Sequence, residues 1–112
     1  MKNYWVAKSK NRQIDVVEAY LLKTFNSVDV LRRPHPNGMK LFVKYLGVHA
    51  GNLIFEKGRW EIYYYKPNGD YSQEIIHDTY DTMSFWYTIQ EKFNRSMSRS
   101  VISNVNVNKS LP

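Results

Sequence analysis

Arg59, Tyr63, Tyr65 and Lys66 fall within one run, Arg59-Trp-Glu-Ile-Tyr-Tyr-Tyr-Lys66. Tyrosine rings offer faces on which bases stack, and neighbouring cations offer charge to phosphates. A stacked base is worth roughly 1–3 kcal/mol, so a pair of exposed rings would matter. The same residue types also build ordinary sheets, because tyrosine favours strands and lysine keeps sheet edges soluble. Lys40 and Lys44, from the preceding strand pattern, can join the set. A second candidate is Arg32-Arg33-Pro34-His35-Pro36-Asn37-Gly38. Two arginines on a proline-stiffened loop could seat a phosphate backbone or an acidic protein surface, and the stiffness lowers the entropy lost on binding. The plainer reading is a solvated turn. Lys8, Lys10 and Arg12 could extend the same positive patch.

Other chemistry finds little material. There is no cysteine, which removes disulfides, thiolate zinc sites and cysteine nucleophiles. His35, His49 and His77 match no zinc spacing. His77 beside Asp78, with Glu74 nearby, is the one local cluster that a small hydrolase could use. A strand end before a capped helix explains it more simply. No phosphate-binding glycine loop, G-x-S-x-G or H-E-x-x-H occurs. No catalytic residue, metal ligand or cofactor is therefore expected.

The chain has 112 residues, the length of one domain, and 43% hydrophobic with 15% aromatic residues, enough for a core. Formal net charge is +6, unevenly spread. Residues 1–44 hold nine Lys/Arg against three Asp/Glu, residues 45–94 four against seven, and residues 95–112 three against none. A basic first third attracts polyanions and speeds their encounter. No apolar run reaches membrane-span length and the start is no signal peptide, so the expectation is a cytoplasmic protein with no membrane partner. Abundant Asn, Lys, Tyr and Ile fit an A+T-rich genome, bacterial or phage.

The elements that must position these residues follow from periodicity. Asn3 to Ala7 reads as a short strand and Lys8 to Arg12 as a basic turn. Ile14, Val17, Leu21 and Phe25 then form an apolar helical stripe. Strands are predicted at Val28–Arg33, Met39–Leu46, Leu53–Glu56, Arg59–Tyr65 and Tyr71–His77. The turns between them are Pro34–Gly38, Gly47–Asn52, Lys57-Gly58 and Pro67–Asp70. A second helix is expected over 79–95, capped by Asp78 or Thr79, with Phe85, Trp86, Ile89 and Phe93 as its stripe. Alternation puts Trp60, Ile62 and Tyr64 on a core face and Arg59, Glu61, Tyr63 and Tyr65 on the other.

The expected fold is α+β: an antiparallel meander of four to five strands with two amphipathic helices on one face. Residues 1–95 would form the domain and 96–112 a flexible, basic Ser/Asn-rich tail. The helix–strand order is shared with double-stranded-RNA-binding domains, but Asp78, Asp81 and Glu91 make the second helix acidic, so no residue is carried over. The functional expectation is a small non-enzymatic nucleic-acid-binding protein, of DNA or RNA, with a regulatory role. The alternative is a phage-type inhibitor or adaptor that binds an acidic host protein. Oligomeric state is left open by the sequence.

Overall fold

The computed structural model describes the backbone of residues 2–110 and the side chains of residues 10–98. Helix α1 (Lys2–Thr24) leads into five strands, β1 (Val28–His35), β2 (Gly38–Tyr45), β3 (Val48–Glu56), β4 (Arg59–Tyr65) and β5 (Tyr71–Ile76), and helix α2 (Met83–Ser110) closes the order. The strands form one antiparallel sheet in sequence order, the expected meander.

Tight turns make the meander possible. Lys57 and Gly58 both have positive φ, 54° and 75°, as do Leu46 and Gly47, 53° and 80°. Paired positive φ angles give the turn whose twist matches flanking strands. The β2–β3 turn is thus two residues long, and residues 48–52, expected as loop, belong to β3. The β1–β2 turn is Pro36-Asn37, with Asn37 at φ 61°. Pro34, expected in a loop, lies within β1. An edge strand tolerates it because one row of its backbone groups needs no partner.

Both helices cover the same sheet face. Ile14, Val17 and Leu21 of α1 and Phe85, Ile89 and Phe93 of α2 join Leu41, Val43, Leu53, Trp60 and Ile62 in one buried cluster. Each such side chain contributes roughly 1.5–3 kcal/mol by leaving water. The Trp60 indole N–H donates to Gln13 Oε1 (3.1 Å), fixing α1 over β4. Tyr20 packs on Trp86 with ring centroids 4.5 Å apart, joining the helices. On this face Glu74 and Lys92 pair at 3.1 Å, tying β5 to α2. Glycine at 51 lets α2 approach: a Cβ there would strike the Phe93 ring and the Tyr63 carbonyl.

The helices are where expectation and structure part. The strand at 3–7 and turn at 8–12 are instead the first turns of α1, in a segment with no glycine or proline to stop a helix. Helix α2 starts at Met83, four residues later than expected, and Thr82, not Asp78 or Thr79, caps it by accepting from the Phe85 amide (3.4 Å). It then runs past the expected end at Arg95 to Ser110. Ser96 and Met97, assigned by composition to a flexible tail, are 1% and 6% exposed. Ser96 Oγ accepts from the Tyr65 amide (2.9 Å) and donates to the Tyr65 carbonyl (3.4 Å). The β3–β4 ladder stops at Gly51 and Tyr64, so the serine serves backbone groups just beyond it.

Candidate functional site

The sheet face away from the helices carries a continuous set of aromatic and charged side chains. Cross-strand register places Leu31, Phe42, Asn52, Tyr63 and Gln73 in one row across it. Lys44 faces His49, and Tyr65 faces Tyr71, in the neighbouring row. Arg33 and Lys40 are direct cross-strand partners.

A β-bulge builds the centre of this face. The β2–β3 register shifts at Val43/Lys44, so Lys44 pairs His49 while Val43 pairs Gly51, leaving Ala50 extra. Strict alternation would send His49 and Asn52 to opposite faces; the extra residue puts both outward. Their side chains then meet at 3.0 Å between His49 Nε2 and Asn52 Oδ1. Asn52 Nδ2 donates to the Tyr71 hydroxyl (3.1 Å), which leaves Oδ1 to accept from His49 Nε2–H. His49 Nδ1 is then the acceptor for the Tyr65 O–H, 2.9 Å away. Tyr65, His49, Asn52 and Tyr71 thus form one directed chain of hydrogen bonds.

Ring packing runs alongside. Phe42 stacks on His49 (centroids 4.3 Å, 15°), and Tyr71 packs against Tyr65 (4.8 Å) and Tyr63 (5.8 Å). Tyr71 remains 45% exposed. Burial, then the nearby Tyr65 and Tyr63 hydroxyls, push the Tyr71 phenol up to about 12. It therefore keeps its proton at neutral pH and can donate it outward. Burial and Glu61 raise Tyr63 in the same direction.

Charge divides the face. At the β1–β2 side the Arg33 guanidinium lies 5.0 Å over the Phe42 ring and Lys44 Nζ 6.0 Å from it. Arg33, Lys40 and Lys44 have no ion-pair partner among the described residues. Toward β3–β5 the charges are answered internally. Glu61 accepts from Gln73 (3.2 Å) and Tyr63 (3.4 Å) and lies 3.8 Å from Arg59, while His35 faces Glu56 at 3.4 Å.

Of the residues singled out from sequence, Arg33, Lys40, Lys44, Arg59, Tyr63 and Tyr65 share this face. Arg32 does not. It sits on β1, within the strand read over Val28–Arg33, and points to the helix side. There it binds Asp15 (2.7 Å) and Glu18 (2.8 Å) of α1. The hydrogen bond to Glu18 and then that to Asp15 hold its guanidinium still more firmly protonated. Lys10 and Arg12 ride on α1, across the sheet from the open face, and the Lys8 side chain lies outside the described residues. Lys66 is exposed in the turn after β4. Glu74, grouped by sequence with His77 and Asp78, is engaged by Lys92. Hydrogen bonds from Tyr64 and then Lys92 hold its carboxyl below the usual range. Among the described residues no three His, Asp or Glu side chains gather as a metal would need.

Sequence reasoning missed Phe42, His49, Asn52 and Tyr71. Phe42 was detectable, standing between Lys40 and Lys44 on one alternation phase. His49 and Asn52 were hidden because the bulge reverses their phase. No protein-family model, curated protein or solved structure matches the chain. No described helix is long and apolar enough to cross a membrane.

Proposed function

We propose that the chain is a non-enzymatic nucleic-acid-binding protein whose ligand lies on the open face of the sheet. The observation that carries this reading is the cluster of Arg33, Lys40 and Lys44 beside an aromatic band; none of the three closes an ion pair among the described residues, although Asp29 stands opposite Lys44 across β1–β2. Like charges directly opposite on neighbouring strands destabilise a sheet. Arg33 opposite Lys40 is such a pair, and a bound phosphate relieves it. Half-exposed rings supply stacking surface next to those cations. The hydrogen-bonded chain through His49 holds Tyr65 and Tyr71 in place, so little side-chain freedom is lost on binding.

The test is fluorescence-anisotropy titration of labelled DNA and RNA across a salt series. The expected result is affinity that falls with salt, log K dropping by about 0.7–0.9 per phosphate contact for each tenfold rise in salt. Arg33→Glu/Lys44→Glu abolishes it. Arg32→Gln serves as the contrast: it retains the affinity and loses only about 0.2–1 kcal/mol of stability, as an exposed ion pair would. Affinity indifferent to salt and to the double variant would reject the reading.

One observation favours a protein partner instead. Leu31, Leu46 and Val48 are 42%, 50% and 47% exposed at the β1–β2 side and the β2–β3 turn. Exposed apolar side chains beside cations suit an acidic protein surface with apolar anchor pockets. Capture of a defined protein that survives nuclease treatment and is lost in Leu31→Asp would favour this reading.

A further inference from the structure

We infer that the ligand of the open face is single-stranded nucleic acid crossing the sheet from β1–β2 toward β5, in preference to a duplex. This rests on the nucleic-acid reading above and follows from the asymmetry of the face. The unpaired cations Arg33, Lys40 and Lys44 lie at one side only. The other side presents Glu56, Glu61 and Arg59, whose charges answer one another or His35. Five strands about 4.8 Å apart make a face roughly 19 Å across. A duplex laid on it has two phosphate rows, separated by a groove about 6 to 12 Å wide. Its second row would fall where Arg59 is already shared with Glu61 and where Glu56 adds negative charge. A single strand has one backbone to anchor, and the cations suffice for two or three of its phosphates.

The aromatic groups point to the same ligand. Base faces are hidden in a duplex and free in a single strand. Phe42 on β2 and Tyr71 on β5 are bridged by His49, whose ring centroid lies 4.3 Å from Phe42 and 5.9 Å from Tyr71, so the rings form one continuous platform along which successive bases can stack. The Arg33 guanidinium covers Phe42 in the free protein. A base that takes its place over the ring releases the guanidinium to a phosphate. At the far end Tyr71 offers an exposed ring and a hydroxyl that remains a donor.

The experiment compares short labelled oligothymidylate, oligouridylate and a duplex of equal length by anisotropy over a salt series, with folding checked by circular dichroism. The expected result is single-strand affinity at least about tenfold above duplex, with log K falling by roughly 1.4–2.1 per tenfold rise in salt, for two or three phosphates. Phe42→Leu and Tyr71→Leu keep apolar bulk but remove the ring, and each should weaken single-strand binding by roughly 5- to 100-fold. Lys40→Gln should flatten the salt slope by about 0.7. Comparing the thymidylate and uridylate arms tells DNA from RNA. Duplex binding as tight as single-strand binding, or ring variants without effect, overturns this inference and leaves the nucleic-acid reading standing. No binding to any of the three overturns both.

Discussion

Tyr71 carries the clearest titration signature among the residues of the open face. Its phenol is pushed up to about 12, above the ordinary value near 10, first by burial. A group whose pKa is raised on folding adds stability below its unfolded pKa and loses that contribution as pH climbs through the folded one. Stability should therefore fall between about pH 10 and 12 in part because the unfolded chain releases the Tyr71 proton first. Partial exposure screens the effect, so it is a fraction of the full linkage. Denaturant melts across this range should show a shallower decline in Tyr71→Phe. Phenolate absorbance should show the Tyr71 hydroxyl titrating late; simultaneous titration of all tyrosines near their usual value would contradict the packing described. Arg32 and Arg33 show how little adjacency means at this scale. One is held by Asp15 and Glu18, the other lies over Phe42.

At the scale of elements, the approach of α2 to β3 and β4 decides the shape of the site from behind. Gly51 lies under Phe93, next to the bulge that turns His49 outward. Gly51→Ala forces a Cβ against the Tyr63 carbonyl and the Phe93 ring, so either β3 or α2 must move. Overpacking of this kind costs about 1–3 kcal/mol. Chemical denaturation should report that loss, and nucleic-acid affinity should fall with it because the bulge and the His49–Asn52 contact shift together. Unchanged stability would mean that α2 does not press on the sheet here. The strand positions themselves were legible, since turn residues and alternation bracket β4 and β5 to within a residue. The bulge was not. Nothing in His49-Ala-Gly-Asn52 distinguishes an extra strand residue from a loop until β2 and β4 pair on either side.

Over the whole molecule, the proposed binding face and the apolar core occupy opposite sides of one sheet. The helix side holds the apolar cluster and the Arg32 and Glu74 ion pairs. The open side holds the unpaired cations and aromatic rings. Ser96 and Met97, beyond the expected end at Arg95, belong to the core side. A chain cut after Arg95 loses the buried Met97 and the Ser96 bond to Tyr65. Together these are worth roughly 2–4 kcal/mol. Thermal melts should show that truncation markedly less stable than one ending at Ser98, and equal melting of the two would refute the assignment.

The amino-acid sequence alone determined the α+β class, the meander, the apolar stripe of each helix and the face each β4 residue takes. These depend on local dihedral preference and on side-chain period, both properties of a short stretch of chain. Tertiary structure decided which side chains are free to meet a ligand. Arg32 leaves the candidate site because its place on β1, opposite buried Leu41, turns it to the helix side, where α1 brings two carboxylates within reach. Ser96 is buried only because the β3–β4 ladder ends beneath it. His49 and Asn52 enter the site only because one residue bulges from β3. Each outcome depends on what another element places opposite, and a partner distant in sequence leaves no mark on local spacing.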